Sequence, residues 1–404
     1  MKIYIDGNGC ARRKLDLAKF NQYFLLNGHD VIDKPNDADF ILVTTCAFKK
    51  EEEDNSINTI NRLEKYNAKI LVYGCLPEIS PSRYNDSVKL EYLSPKKIDD
   101  IDKYFTNVKY KFSDVKDVNV IPEEVKTTSW TKAANKFINE FELTPKFISR
   151  TLKFTTKKLN SSTKDYYLFT SRGCMGNCSY CAVRFAVGTI QSKPIENVVN
   201  EFKEGVEKGY TDFMIIGDDV GAYGQDKGVK VTDLLRALLQ VIDEGKKTDE
   251  YKKFKLNIDE FNPRWIIKYK DALNEILKSD HMNSILCPLQ SGSDRVLKLM
   301  KRGHDAKSFV DCISNIRQLN AKIYLNTQLI IGFPTETEDD FKKSLELVKQ
   351  AGFNSVILFP YDDKENTDAS KIFPKIPEDL IQDRVKYAQK FFKKNKIKSF
   401  LSCE

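Results

Sequence analysis

Apolar and polar positions along the chain alternate between two periods, short apolar runs and longer stretches with a single apolar face. The runs Lys2–Ile5, Phe40–Thr44 and Lys69–Tyr73 predict buried strands, and Lys14–Leu26 and the charged Glu51–Tyr66 between them carry a helical period. Strands alternating with helices predict a parallel sheet. The pattern weakens over residues 111–164, which hold Pro122, Pro145 and the basic Lys146, Arg150, Lys153, Lys157, Lys158 and Lys164. This stretch reads as a partly helical connector, its charge either a solvated face or a contact for a polyanion or peptide. The alternation then resumes. Strands are predicted at Tyr166–Thr170, Asp212–Ile216, Lys255–Ile258, Ser284–Cys287, Lys322–Ile331 and Asn354–Phe359. Helices are predicted at Ile195–Lys208, Thr232–Ile242, Pro263–Leu277, Asp294–Met300, Ala306–Leu319 and Glu338–Gln350, with a last one at Glu378–Asn395. Six strand-helix units fall short of the eight of a closed (β/α)8 barrel, so a partial (β/α)6 barrel is expected. The predicted fold class is α/β: an N-terminal open parallel sheet domain over 1–110, the connector over 111–164, the partial barrel over 165–375 and a helical tail over 376–404.

Composition narrows the class. With 404 residues, 41% apolar and 30% charged, the chain has the balance of a globular protein of two or three domains. Lys and Arg number 65 against 58 Asp and Glu, and the resulting net charge of +7 selects no partner by itself. No stretch approaches the roughly 18 apolar residues of a membrane span, and the start is charged too early for a signal peptide, so a cytoplasmic protein away from the membrane is expected. In that compartment thiols stay reduced, which points the nine cysteines toward metal or catalysis.

Each N-terminal strand runs into a cysteine: Cys10, Cys46 and Cys75. Ligands gather at the carboxyl ends of the strands in an open parallel sheet, so these three are a candidate metal site. After the first strand of the second half stands Gly173-Cys174-Met175-Gly176-Asn177-Cys178-Ser179-Tyr180-Cys181. Three thiolates at this CxxxCxxC spacing can cap three irons of a 4Fe-4S cubane and leave the fourth open for a ligand. A structural zinc needs a fourth ligand, and His29, His281 and His304 show no ligand pattern and read as surface or turn residues. Cys287 and Cys312 read as core residues and Cys403 as part of a frayed end.

A CxxxCxxC loop with an aromatic residue before its last cysteine, placed after the first strand of a partial barrel, resembles the radical S-adenosylmethionine (SAM) enzymes. Further blocks are similar to the methylthiotransferases of that superfamily that modify tRNA or a ribosomal protein. They are Gly9-Cys10 with Asp16, Thr45-Cys46-Ala47, Gly74-Cys75-Leu76, Gly217-Asp218-Asp219 with Ala222-Tyr223-Gly224, Pro288 to Asp294, Met300-Lys301-Arg302 and Ile331 to Thr337. The resemblance implies two 4Fe-4S clusters, one on Cys174, Cys178 and Cys181 and an auxiliary one on Cys10, Cys46 and Cys75. One SAM would methylate a sulfur held on the auxiliary cluster. A second would yield a 5′-deoxyadenosyl radical that abstracts hydrogen from an unactivated carbon, where the methylthio group is delivered. The two domains would close over the substrate, and a reductant such as flavodoxin or ferredoxin would supply electrons. No catalytic residue beyond the cluster ligands is implied.

Carried over residue by residue, the SAM contacts would be Tyr180, Asp218, Gln290, Ser291, Arg302, Gly332 and Phe333, with Arg302 on the carboxylate and Phe333 against the adenine. Each also has a plainer reading: Gly332-Phe333-Pro334 as a turn, Gln290 to Asp294 as a helix N-cap, Tyr180 as core. Three departures bear on the substrate. The C-terminal TRAM domain by which family members usually grip a macromolecule is not recognisable, Arg13 stands where the family has Asn, and Arg184 and Val187-Gly188 replace Pro and Arg-Gly. They favour a polypeptide side chain, in a peptide precursor or a protein, over a tRNA adenosine. A radical SAM oxidase whose second cluster only takes electrons and a non-enzymatic zinc module are the other readings.

Overall fold

The computed structural model describes residues 1–121, 165–245 and 254–402. The basic connector residues from Pro122 to Lys164, and Cys403, lie outside the described residues. The chain divides into two compact units. One is Met1–Tyr167 with Phe185–Val187 and Glu204–Tyr210; the other is Leu168–Arg184, Gly188–Lys203 and Thr211–Glu404.

In the N-terminal sheet, the strands β1 (Lys2–Gly7), β2 (Asp30–Ile32), β3 (Phe40–Thr45), β4 (Lys69–Gly74) and β5 (Tyr92–Leu93) lie in the order β2-β1-β3-β4-β5. All neighbours are parallel. The short edge strands β2 and β5 carry too few residues for a period to register in sequence. The first helix, Ala11–Leu26, starts three residues earlier than its apolar pattern, because Cys10 is its N-cap with extended backbone. Phe20, Tyr23 and Phe24 of this helix pack with Phe40, Leu42, Leu71, Tyr73, Phe105 and Phe112 as the core.

The strand order reverses between β1 and β3, which makes their carboxyl ends the switch point where a ligand crevice opens in such sheets. The chain crowds there. Gly7 has φ +113° and a Cβ on it would stand 2.0 Å from the Thr44 carbonyl oxygen; Gly74 has φ +124° and its Cβ would stand 2.4 Å from that of Thr45. Two glycines thus let β1 and β4 close on the end of the central strand β3.

The second sheet contains β6 (Asp165–Arg172), β7 (Gln191–Ser192), β8 (Asp212–Gly217), β9 (Lys255–Ile258), β10 (Met282–Gln290), β11 (Tyr324–Ile331), β12 (Ser355–Pro360) and β13 (Lys398–Leu401). Its order is β13-β12-β11-β10-β9-β8-β6-β7. Six of these strands stand side by side in chain order with helices between them, which is an opened (β/α)6 barrel. The edge strands β7, antiparallel to β6, and β13, parallel to β12, were not legible in the pattern of apolar residues. The helix expected over Pro263–Leu277 is two, Pro263–Lys268 and Lys270–Leu277. The break falls at Tyr269, whose ring stacks on Trp265 and whose hydroxyl accepts a bond from Gln225. His281 also departs from its surface reading: it is buried, with Nδ1 2.9 Å from the Phe254 carbonyl. Cys287 is buried and Cys312 half-buried. Among the described residues no helix is long and apolar enough to cross a membrane.

Gly74→Ala should destabilise the N-terminal sheet by roughly 1–3 kcal/mol through overpacking, with further strain from the left-handed φ. Thermal unfolding of the purified variant reads the loss.

Candidate active site

The carboxyl ends of β1, β3 and β4 carry the first three cysteines. Cys10 is exposed, and Cys46 and Cys75 are half-buried. Ser56 holds Cys46 by its backbone, accepting from the amide at 3.0 Å and lying 2.9 Å from the carbonyl oxygen. The same hydroxyl lies 3.1 Å from Asn8 Oδ1, and Asn8 Nδ2 donates to Glu52 at 2.5 Å. The loop before Cys10 and the turn at Cys46 are therefore tied to one helix, Lys50–Leu63. Beneath them lies a buried polar set. Arg13 Nη1 donates to the Tyr73 hydroxyl (3.1 Å), Tyr73 donates to Asp16 (2.6 Å), and Arg13 Nε pairs with the same Asp16 oxygen at 3.2 Å. Arg13 lies one turn past Cys10 and Tyr73 two residues before Cys75, so these bonds hold two of the three cysteine segments together. Burial pushes the Cys46 thiol up to about 11, against backbone N–H bonds from Phe48 and Ala47, with Cys10 and Glu52 adding to the rise.

In the barrel unit, Cys174, Cys178 and Cys181 follow β6 and are half-buried. Gly176 N–H donates to Cys174 Sγ at 3.1 Å. Asp218 accepts from Gly173 N–H at 2.7 Å, and Ser179 anchors the loop through the carbonyls of Leu299 and Met300. Two buried charges flank these thiols. Asp219 Oδ2 lies 3.7 Å from Cys174 Sγ and accepts from Trp265 Nε1 (3.0 Å) and Arg264 (3.2 Å). Arg302 donates to Cys178 Sγ (3.4 Å), the Tyr180 hydroxyl (3.3 Å) and the Pro288 carbonyl (2.5 Å). That carbonyl is free because the β10–β11 register shifts between Cys287 and Gln290, which is also what admits a proline to a central strand. Burial pushes two of these thiols up, Cys174 with help from Asp219 and Cys181 to about 11 with help from Cys178, so taking up a metal there must release protons.

Among the described residues, several buried atoms here have no partner: Asp219 Oδ1, Gln290 Oε1, Arg302 Nε and Ser171 Oγ. Gln290 is also held at φ +72°, a strained conformation of the kind found at ligand sites. Among the described residues no three His, Cys, Asp or Glu side chains stand close enough to share one metal ion. A single zinc draws its thiolates to about 2.3 Å, whereas the thiolates of a cubane bind different irons and stand farther apart. Each set offers three thiols, the number that caps three irons of a 4Fe-4S cubane and leaves the fourth open.

Residues 168–348 match the Radical SAM superfamily, and residues 2–92 match the model described as Uncharacterized protein family UPF0004. The chain is 26% identical over 386 residues, 95% of its length and 82% of the other's, to the probable threonylcarbamoyladenosine tRNA methylthiotransferase of Pyrococcus horikoshii. It is 27% identical over 405 residues, 98% and 82% of the two lengths, to the ribosomal protein uS12 methylthiotransferase RimO of a Nitratiruptor species. The chain belongs to the radical SAM methylthiotransferase-like family. A solved radical SAM methyltransferase, TsrM from Kitasatospora setae, shares the fold with TM-score 0.61 over 91% of this chain and 76% of that one, at 11% identity. The family's cofactors are SAM and two 4Fe-4S clusters, and the enzyme transfers a methylthio group.

Not every expected SAM contact of this methylthiotransferase is open to a ligand. Tyr180, Asp218 and Arg302 surround the cysteine loop, and Gln290 offers its orphaned oxygen. Ser291 is wholly buried and its hydroxyl meets those of Ser344 and the Ser293 amide. Gly332 gives its N–H to Glu336, and Ile381 fills the space beside it. Phe333 is wholly buried among Val296, Met300, Ile330 and Ala369, so its ring serves the core. Asp219, Arg264 and Trp265 were missed from sequence. The Gly217-Asp218-Asp219 block was visible, but only Asp218 was singled out; Trp265 had no signal at all.

Asp340 ties the candidate loops together, accepting from Ser293 (2.5 Å), Arg295, and the Thr337 amide and hydroxyl (3.0 and 2.7 Å). Burial would raise its carboxyl, but Arg295, Ser293 and Thr337 hold it well below the usual carboxylate range. Its stabilising contribution is complete above the unfolded value near pH 4 and is lost as pH falls. Asp340→Asn should therefore lower stability at pH 7 and flatten the acid side of a denaturation series run below about pH 4. Tyr73→Phe removes the hydroxyl between Arg13 and Asp16 without opening a cavity, and should cost roughly 1–3 kcal/mol in thermal or denaturant unfolding.

Proposed function

We propose that this methylthiotransferase modifies a threonylcarbamoyl-bearing adenosine of tRNA. Cys174, Cys178 and Cys181, within a 165–375 barrel domain, hold the cluster that binds SAM, and Cys10, Cys46 and Cys75, within a 1–110 domain, hold the auxiliary cluster. The observation that carries the site is the pair of buried opposite charges beside two of the thiols. Asp219, next to Cys174, has an unmet acceptor, and Arg302, next to Cys178, has an unmet donor. A ligand bearing both an ammonium and a carboxylate, as the methionine end of SAM does, would meet both. Gln290 Oε1 supplies a third polar contact, and Tyr180 orients Arg302. The clusters and SAM supply the one-electron chemistry and the sulfur, fed by a low-potential donor of the flavodoxin or ferredoxin kind. The chain's own residues bind and orient, and the burial of Asp219 and Arg302 keeps water from the charged end of the ligand.

The tRNA substrate departs from the polypeptide favoured by the sequence departures. Its support is the relative named for threonylcarbamoyladenosine tRNA, which aligns with nearly the whole chain. The polypeptide reading keeps one support, the similarity to the enzyme named for ribosomal protein uS12.

Expression in a host stripped of its own methylthiotransferases should yield methylthiolated threonylcarbamoyladenosine in digested total tRNA by mass spectrometry. The product should disappear with Cys174→Ala and with Cys46→Ala. A protein that carries both clusters and cleaves SAM, yet leaves tRNA unmodified, would overturn the tRNA reading and direct the search to uS12 and small peptides.

A further inference from the structure

Arg302 is a buried cation whose counter-charge is a cysteine. It is 5% exposed, and its guanidinium donates to Cys178 Sγ at 3.4 Å, to the Tyr180 hydroxyl at 3.3 Å and to the Pro288 carbonyl at 2.5 Å. The last two partners are neutral, and among the described residues no carboxylate forms an ion pair with it. A guanidinium keeps its charge in any protein environment, and burying that charge unpaired is costly. Of the groups it touches, the Cys178 sulfur is the one that is an anion when it serves as a metal ligand.

The charges around the three thiols do not cancel. Asp219, 3% exposed, lies 3.7 Å from Cys174 Sγ, but Arg264 already pairs with it at 3.2 Å. Arg184 adds its charge near Cys181. His304, whose Nδ1 lies 3.3 Å from the Arg302 carbonyl oxygen, is neutral at pH 7, because burial and Arg302 push its imidazolium down to about 4. Three arginines thus face one carboxylate, and Arg302 is the most deeply buried of the three. A positive charge beside an iron-sulfur cluster favours the form holding one more electron, and it acts most strongly where water is excluded. Arg302 Nε stays unmet, so the thiol contact through Nη1 leaves the same guanidinium able to take a ligand carboxylate.

We infer that Arg302 raises the reduction potential of the cluster held by Cys174, Cys178 and Cys181, and that Asp219 opposes it. The two side chains thereby set how readily that cluster accepts its one electron from a donor of the flavodoxin or ferredoxin kind, a role separate from holding SAM. The inference rests on the assignment of a 4Fe-4S cluster to these three cysteines and not on the choice of tRNA as substrate.

The test is an anaerobic redox titration of the cluster-loaded full chain without SAM, followed by electron paramagnetic resonance and read on the signal that Cys174→Ala abolishes. Arg302→Gln should shift the one-electron equilibrium about tenfold toward the oxidised form, a midpoint about 59 mV lower. Arg302→Lys, which keeps the charge, should recover most of that shift. Asp219→Asn should move the midpoint the other way. If Arg302→Gln has the wild-type midpoint, or if Arg302→Lys falls as far as Arg302→Gln, the inference falls and the cluster assignment stands. Should Arg302→Gln fail to take up the cluster, as iron and sulfide content would show, Asp219→Asn decides: a midpoint equal to or below that of the wild type overturns the inference. If no wild-type signal depends on Cys174, the cluster assignment fails and this inference fails with it.

Discussion

A carboxylate and a guanidinium buried beside two thiols set the terms for the barrel unit. Desolvating either charge costs several kcal/mol unless its hydrogen bonds are met. Asp219 meets part of that need through the Trp265 indole and Arg264, and Arg302 through the Pro288 carbonyl and Tyr180. Each partner constrains a different element. The indole brings in the helix that follows β9, and the carbonyl depends on the irregular register of β10. Among the described residues, Asp219 Oδ1 and Arg302 Nε keep one acceptor and one donor unmet.

The N-terminal unit keeps a buried ion pair, Arg13 with Asp16, beneath the sheet end that bears its cysteines. Parallel strands deliver their following loops to one edge, and glycines at 7 and 74 allow those ends to approach the central strand. Underneath, Arg13, Asp16 and Tyr73 bond to one another in a buried cluster that spans the segments bearing Cys10 and Cys75. Arg13, which stands where the family has Asn, is thus part of the support of its site.

The same scaffold serves more than one reaction. A methyltransferase at 11% identity shares the fold, so the barrel by itself says nothing about the substrate. The substrate is a matter of the loops beyond the strand ends. Packing brings such loops together: Ala369, beyond β12, donates its N–H to Ser179 in the cysteine loop although nearly two hundred residues separate them in sequence.

The parallel alternation and the six-unit barrel were legible from sequence alone, because strand runs and helical periods are local properties of a few neighbouring residues. Short edge strands were not, since two to four residues carry no period. The break at Tyr269 depended on the stack with Trp265 and the bond from Gln225, which no periodicity encodes. The polar residues around the thiols were decided by tertiary structure. Asp218 and Asp219 are adjacent in sequence, yet one ties the loop at Gly173 and the other sits on Cys174. Ser291, Gly332 and Phe333 lie in family-like motifs, yet their atoms are taken up by Ser344, Glu336, Ile381 and the core. Whether a polar group faces a ligand or its own fold depends on partners tens of residues away, and only packing brings those together.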